Sequence, residues 1–311
     1  MRHSTTFLMS LIVASILVLM FLNLVLGSVS IPLKSVWNII CGLGDEPVTW
    51  QNIVWKSRLP QALTALVAGA GLAISGLQMQ TVFRNPLAGP SVLGISSGAS
   101  MGVAFVVLLS GSLGGVALSK LGVMGEIALS IAAVIGSLSV MALIVYVSQK
   151  VKGNVTLLII GVMIGYVANA VIGVLKFFSV EEDIRAYVIW GLGSFSRVSG
   201  NQMMLFVAIM AILIPLSFLL IKTLNLMLLG DGYARNLGLN IKRARLLVIT
   251  SAGVLTAIVT AYCGPVIFLG LAVPHLCRAI FQTSDHRVLM PAVLFAGAAL
   301  ALVCYLIARL P

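Results

Sequence analysis

Side chains that could carry acid–base, nucleophilic or metal chemistry are sparse in this sequence. The 311 residues include 8 Asp and Glu and 3 His, against 19 Lys and Arg. No G-x-x-x-x-G-K-[ST] phosphate loop, H-E-x-x-H metal pair or Ser/His/Asp set is found. His275 follows Pro274 in an apolar stretch, where a lone histidine is more often a packing or interfacial group than a ligand. We therefore expect no catalytic residue, no metal site and no cofactor.

The few ionisable residues avoid the centres of the apolar stretches. Glu126, Lys176 and Arg309 lie near the ends of such stretches, where a long side chain can reach the membrane interface at low cost. Charged groups deep in a membrane usually mark ion or proton pathways. This distribution argues against a proton- or sodium-driven carrier.

Apolar stretches long enough to cross a bilayer make up most of the chain. It is 60% hydrophobic and 9% charged, whereas about 25% of the residues of a soluble domain are charged. A crossing helix needs about 20 apolar residues. The predicted fold class is all-α, a polytopic transmembrane helix bundle forming one domain over residues 1–311. We predict nine spans, at residues 7–27, 61–83, 92–110, 126–148, 157–178, 203–222, 246–263, 266–280 and 288–307.

The distribution of Lys and Arg predicts that the N-terminus lies inside the cell. On that topology the inner segments hold eleven Lys and Arg and two Asp, and the outer segments hold eight Lys and Arg and six Asp and Glu. All four tryptophans, which favour the interface, fall outside. The net charge of +11 is then explained by inner loops near acidic lipid and a protein partner, and nucleic-acid binding is not needed.

Small residues recur at four-residue spacing inside several predicted spans. Gly94, Gly98 and Gly102 form one such series, and Gly69 with Ala73 forms another. Because lipid offers no hydrophobic drive for helix association, close backbone approach supplies the packing energy. The pattern predicts tight bundling, and it is also compatible with helices that slide or line a path for a bulky solute.

An inner segment, "LGDGYARNLGLNIKRAR" at residues 229–245, predicts a short helix beneath the membrane. Asp231 is expected to cap its first turn, and Gly238 suits the left-handed residue that ends it. Tyr233, Ala234 and Leu237 are expected to share one apolar face. Such a helix either rests on lipid headgroups or docks a cytosolic subunit.

On the outer side, Ser179 and Glu182 have the spacing of a capping box. They predict the start of a short helix that ends near the glycines of "WGLGS". A helix at this position would act as an outer gate or as a lid.

Three long stretches closely resemble the permease subunits of ABC importers for iron–siderophore, haem and vitamin B12, the type II ABC importers. They are "RLPQALTALVAGAGLAISGLQMQTVFRNPLAGPSVLGISSGASMG" (residues 58–102), the segment 229–245, and "GPVIFLGLAVPHLCRAIFQTSDHRVLMP" (residues 264–291). The resemblance covers essentially the whole chain. It implies a multi-pass permease of the inner (plasma) membrane that imports a chelate and is not an enzyme, since ATP hydrolysis belongs to a separate subunit.

The resemblance also implies partners and site residues. The partners are a second copy in a homodimer, cytosolic ATP-binding cassette subunits, and a periplasmic or lipid-anchored substrate-binding protein. Membrane lipid is expected around the bundle. The implied site residues are Arg58 and Arg309 for binding-protein docking, Asn85, Leu87 and Asn154 for the inner gate, and Asp231, Tyr233, Ala234, Leu237 and Gly238 for the ATPase coupling helix.

Two departures from the family pattern stand out. Gln61 occupies a position where the family often has another arginine, so the docking charge is expected to be weaker or shared with Lys56. The family has ten spans, whereas nine are predicted here up to Pro311, so we expect either a truncated sequence or a protein that lacks the tenth span. The carried solute stays open between an iron chelate and vitamin B12. The alternative classes are an ion-coupled secondary carrier for a small solute and a membrane scaffold without transport.

Overall fold

A computed structural model describes residues 2–112, 123–151, 153–198 and 200–309. Within these ranges the chain forms α-helices and short helical turns, and it has no β-strand. The helices are α1 (Arg2–Val25), α2 (Leu33–Cys41), α3 (Val48–Ile53), α4 (Leu59–Phe83), α5 (Ile95–Ser112), α6 (Val123–Lys150), α7 (Asn154–Phe177), α8 (Glu181–Gly191), α9 (Gly200–Phe218), α10 (Ile221–Leu228), α11 (Asp231–Asn236), α12 (Ile241–Cys263), α13 (Leu269–Phe281) and α14 (His286–Arg309).

The long helices have the length and composition of membrane spans. Among the described residues, six helices are long and apolar enough to cross, or seven if α9 and α10 are one span bent by 45°. Helices α5 and α13 are apolar but shorter. Each of the nine predicted spans falls on one or two of these helices, so the all-α membrane bundle is confirmed. The number of complete crossings stays a prediction.

Helix α4 is the centre of the bundle. Its most apolar window is 83% buried, compared with 17% for α1 and 22% for α7. It packs most extensively against α14, α12 and α13. The low burial of α1 and α7 means that lipid or another chain must cover their apolar surfaces, because a membrane protein does not leave them in water.

Glycines let the backbone of α4 touch its neighbours. A Cβ added at Gly76 would lie 2.8 Å from the Cα of Gly270 in α13, and one added at Gly69 would lie 3.0 Å from the carbonyl carbon of Gly297 in α14. Two hydroxyls add a polar link to α12, since Ser75 Oγ and Thr256 Oγ1 are 2.7 Å apart. These contacts are the small-residue packing that membrane helices use.

The expected stripe of Gly94, Gly98 and Gly102 is only partly correct. Gly98 and Gly102 both face α6, where an added Cβ would meet the backbones of Gly136 and Ala132. Gly94 precedes α5, has φ +74°, and instead faces α7 at the carbonyl of Gly161, 3.0 Å from its ideal Cβ. The helix starts one residue later than the stripe requires, because a 3₁₀ turn at Pro90–Leu93 occupies the beginning of the predicted span.

The short helices of the segments predicted to lie outside are α2, α3 and α8. The capping box predicted for α8 is wrong, since no side chain caps this helix and its N-cap is Val180. Ser179 Oγ donates instead to the carbonyl oxygens of Leu175 (2.6 Å) and Leu108 (3.0 Å). The predicted end of the helix is correct, because α8 stops at Gly191 and Gly193 has φ +69°.

Candidate coupling, gating and docking sites

Helix α11 is a single exposed helical segment set between two glycines with positive φ. Gly230 precedes it with φ +95°, and Gly238 follows it with φ +84°. Left-handed backbone of this kind is cheap only for glycine, so the sequence ends the helix where we predict. Ala234 is fully buried, while Tyr233 is 73% exposed and Leu237 is 61% exposed. The expected shared face is therefore only partly correct: Tyr233 and Leu237 are both exposed, whereas Ala234 is buried and seats the helix on the bundle.

Asp231 does not cap α11, contrary to expectation. It is the first residue inside the helix, and the helix has no side-chain cap. Its carboxylate instead forms an ion pair with Arg84, the residue that ends α4. Its second oxygen lies 3.8 Å from Nη2 of Arg245 in the first turns of α12. One carboxylate thus contacts two arginines, one in the next helix, α12, and one at the end of α4, 147 positions earlier in the sequence.

The loop after α4 begins at Arg84, which has φ +48° and ends the helix in a left-handed conformation. Asn85 folds the loop back on itself, because its Oδ1 accepts a hydrogen bond from the backbone N–H of Leu87 (2.9 Å). The side chain of Leu87 is 68% exposed. Asn154 is the first residue of α7, and its side chain lies outside the described part of the chain. The gating role of these three residues stays a prediction.

A polar network that the sequence did not predict joins the helix ends beside this loop. His286, buried at the start of α14, has its Nε2 2.8 Å from Thr81 Oγ1 in α4. Its backbone N–H donates to Asn225 Oδ1 in α10 (2.9 Å), and its Nδ1 lies 2.8 Å from the same oxygen. The network connects α4, α10 and α14 through partners that are 61 and 205 positions from His286 in the sequence, so no local spacing could indicate it.

Asp285 extends this network. Its carboxylate accepts hydrogen bonds from the backbone N–H of Arg287 (2.9 Å) and from the side-chain amide of Asn225 (2.6 Å). These bonds, the first above all, hold the pKa of the Asp285 carboxyl below its ordinary value. The loop between α13 and α14 is thus tied to α10, which leads directly into α11.

A second buried cluster ties α4 to α13. Gln80 donates from Nε2 to the carbonyl oxygen of Leu271 (3.1 Å), and its Oε1 accepts from Arg278. Arg278 lies in the last turn of α13. A cation at this position is favoured by the partial negative charge of the helix C-terminus.

Arg58 and Arg309 lie together at the other end of the bundle, but only Arg309 reaches the surface. Arg58 is 1% exposed, and its Nη1 donates to the carbonyl oxygens of Leu24 (2.7 Å) and Val25 (2.8 Å) at the end of α1. Arg309 is partly exposed, and its Nη1 donates to the hydroxyl of Tyr305 (2.9 Å). The docking role predicted for both stays a prediction, and Arg58 has a structural role that the sequence did not indicate.

Gln61, the departure from the family pattern, takes part in this outer cluster. Its side-chain carbonyl accepts a hydrogen bond from the hydroxyl of Tyr305. The same hydroxyl accepts from Arg309, so the amide holds the tyrosine that orients the exposed arginine. An open cavity of about 450 Å³ lies beside the cluster and is lined by the segments 192–196 and 265–269 and by the end of α14.

Among the described residues, six or seven apolar helices are long enough to cross a membrane, which defines a polytopic membrane protein, and comparison with known proteins identifies its family. Residues 15–311 match the FecCD transport family, to which the chain therefore belongs. The resemblance to type II ABC importer permeases is confirmed, as is a multi-pass location in the inner membrane.

Individual relatives agree with this family. The vitamin B12 import system permease protein BtuC of Klebsiella pneumoniae subsp. pneumoniae is 36% identical over 261 residues, which cover 84% of this chain and 75% of the relative. The hemin transport system permease protein HmuU of Yersinia pestis is 34% identical over 286 residues, which cover 91% and 81%. A solved structure described as an inward-facing conformation of a metal-chelate type ABC transporter superimposes with a TM-score of 0.83 at 26% identity, covering 97% of this chain and 90% of that one.

Proposed function

We propose that this chain forms the translocation path through which an iron chelate, either a siderophore complex or haem, enters the cell, with vitamin B12 as the alternative cargo. Separate ATPase subunits supply the energy, and residues 1–311 act as one permease domain. The chain itself has no catalytic role and needs no cofactor.

Helix α11 is the observation that carries the proposal. Tyr233 and Leu237 face outward, at 73% and 61% exposure, while Asp231 at the start of the helix fastens it to α4 and α12. Large exposed side chains beside a fixed charge suit a groove in a partner protein. A cytosolic ATPase that moved this helix would move two central helices with it, as rigid-body alternation of access requires.

The inner gate is proposed for the loop after α4, with Asn85 and Leu87, and for Asn154 at the start of α7. A homodimer would cover the exposed apolar side of α7, where Met163 and Val167 are 54% and 63% exposed. The gate and the dimer contact would then share α7. Membrane lipid would cover the remaining apolar surface.

Docking of the substrate-binding protein is proposed for the outer cluster. Arg309 offers the accessible charge, which would steer an acidic partner and fix its orientation. Arg58 lies directly behind it, and its own docking role would require the outer end of α1 to rearrange. Gln61 contributes through Tyr305 and adds no charge.

The cargo is expected to be large and recognised mainly by the delivery protein. The spans hold small and apolar residues and few ionisable groups, so they offer little to bind a specific polar solute tightly. A vitamin B12 permease and a hemin permease both stand among the relatives, which is why the two kinds of cargo stay in the proposal.

Reconstitution tests the function directly. The permease, its ATPase subunit and its binding protein are placed in liposomes, and uptake of haem, a ferric siderophore and vitamin B12 is compared with ATP inside and without it. We expect uptake of one cargo that requires ATP, stops when the ATPase subunit is inactivated, and comes with faster ATP turnover when the binding protein is loaded. Uptake that survives inactivation of the ATPase would contradict the proposal and favour an ion-coupled carrier.

A further inference from the structure

We propose that the ion pair between Arg84 and Asp231 transmits the motion of the coupling helix directly to the inner-gate loop. The inference rests on the proposed function, because it assigns a link between two sites of that function. In this role Arg84 and Asp231 are positioning residues: they contact neither the cargo nor ATP, and they fix how α11 and the loop move relative to each other.

The link bypasses the chain path between the two sites. Asp231 is the first residue of α11 and Arg84 is the last before Asn85, yet 147 positions separate them in the sequence. Without this contact, movement of α11 would reach the loop through α10 and α12, which both pack on α4. With it, the coupling helix and the gate loop are joined side chain to side chain.

The backbone on each side of the ion pair makes it an effective connection. Arg84 is held at the end of α4 by its N–H, which donates to the carbonyl oxygen of Thr81 (3.3 Å), and the next N–H, of Asn85, donates to Gln80 (3.2 Å). On the other side, Gly230 and Gly238 carry no Cβ, and nothing lies within 4 Å of where one would be, so their backbone angles can change as α11 turns. A rigid helix end thus meets a short helix with hinge-like ends.

Arg245 makes Asp231 the common point of the arrangement. Its side chain is 10% exposed, compared with 42% for Asp231 and 43% for Arg84. A buried guanidinium needs a nearby anion, so Asp231 is held toward α12 while its other oxygen holds Arg84. The carboxylate therefore fixes the position of α11 relative to both α4 and α12.

The exposure of the pair argues against a purely stabilising role. An ion pair of this exposure contributes about 0–1 kcal/mol to folding. Loss of the pair through Arg84→Gln, which leaves Asp231 beside Arg245, should keep the fold intact, so its effect should appear in the relation between ATP turnover and uptake. This expectation separates transmission from simple support of the fold.

The test uses the full reconstituted complex and a double-mutant cycle. Arg84→Gln, Asp231→Asn and the double variant remove the charges while keeping the side chains similar in size. Arg84→Lys keeps the charge, and Arg287→Gln removes an exposed inner arginine elsewhere as a matched control. The quantities measured are uptake per ATP hydrolysed, basal ATP turnover, and co-purification of the ATPase subunit.

We expect Arg84→Gln, which lies outside the coupling helix, to lower uptake per ATP about threefold or more with the ATPase still bound. Asp231→Asn should lower uptake per ATP at least as much. Both changes break the Arg84–Asp231 contact, and Asp231→Asn also removes the anion beside Arg245. The double variant should therefore be no worse than Asp231→Asn alone. Arg84→Lys should retain most of the wild-type uptake per ATP, and Arg287→Gln should behave as the wild type.

Three results would overturn the inference. They are an unchanged ratio of uptake to ATP in the single variants, losses that multiply in the double variant, or loss of ATPase binding, which would make Asp231 a docking residue only. Failure of the wild-type complex to import any chelate would instead contradict the proposed function. A failure of the ion-pair inference can therefore be distinguished from a failure of the proposed function.

Discussion

Arg58 closes the end of α1. Its Nη1 lies 2.7 Å from the carbonyl oxygen of Leu24, and the neighbouring carbonyls of Val25 and Val29 also accept from this guanidinium. The last carbonyls of a helix lack partners within it, and in a membrane protein unsatisfied groups are costly. One arginine in the π-helical turn Val54–Arg58 thus fastens α1 to the start of α4.

Replacement of Arg58 should destabilise the protein. Arg58→Ala removes charged hydrogen bonds from three carbonyls, each worth about 1.5–3 kcal/mol, and relaxation should leave a net loss of about 2–4 kcal/mol. Thermal unfolding in detergent measures the effect. Lys56→Ala, an exposed neighbour, is the control and should change little. Full stability of Arg58→Ala, together with weakened binding-protein affinity, would show that docking is its role.

Arg309 should raise the rate at which the permease associates with the binding protein. Arg309→Glu places a negative charge where an acidic partner is expected, so the association rate and its dependence on salt should fall, by about tenfold for the rate at low salt. Stopped-flow or surface binding measurements report this rate. Arg309→Lys keeps the charge and should largely preserve it. Equal association rates for Arg309→Glu and the wild type would remove Arg309 from the docking surface.

Gly76 should tolerate no side chain. A Cβ there would overlap the backbone of Gly270 in α13, and overpacking of this kind costs about 1–3 kcal/mol or more. We expect Gly76→Ala to lower the thermal stability in detergent markedly. Gly173→Ala is the matched control, because nothing lies within 4 Å of its added Cβ. Equal stability of the two variants would show that α4 and α13 do not approach so closely.

Asn225 should stabilise the junction of α10 and α14. Asn225→Ala leaves the backbone N–H and the ring of the buried His286 without their partner oxygen, which should cost about 1–3 kcal/mol. Unfolding of the variant in detergent, compared with that of Lys222→Ala on the same helix, measures this cost. A stability equal to that of Lys222→Ala would mean that the hydrogen bonds to His286 contribute nothing.

The sequence predicts features that depend on local composition. Apolar length locates the spans because the bilayer sets it, and positive-φ positions such as Gly238 follow from the conformational freedom of glycine. The four-residue spacing of Gly98 and Gly102 likewise identifies a real contact surface with α6. Such patterns extend over a short stretch of sequence, so they can be recognised without knowing which distant residues they contact.

Features that depend on distant contacts escape prediction. From the sequence, Arg58 is predicted to be an exposed docking residue. Its actual partners are carbonyl oxygens at the end of α1, including that of Leu24, 34 positions earlier. Asp231 reads as a helix cap, because its partner Arg84 is 147 positions away. The link of His286 to Thr81 spans 205 positions. In each case a tertiary partner replaces the local role that the residue type suggests.

The central claim is that ATPases outside this chain drive transport through α11, and one measurement tests it most directly. Residues Asp231–Asn236 are replaced by six glycine and serine residues, and uptake and ATP turnover are recorded together in liposomes that contain the ATPase subunit and the loaded binding protein. We predict that uptake stops and that the binding protein no longer stimulates ATP turnover. Uptake that stays as tightly linked to ATP hydrolysis as in the wild type would contradict it.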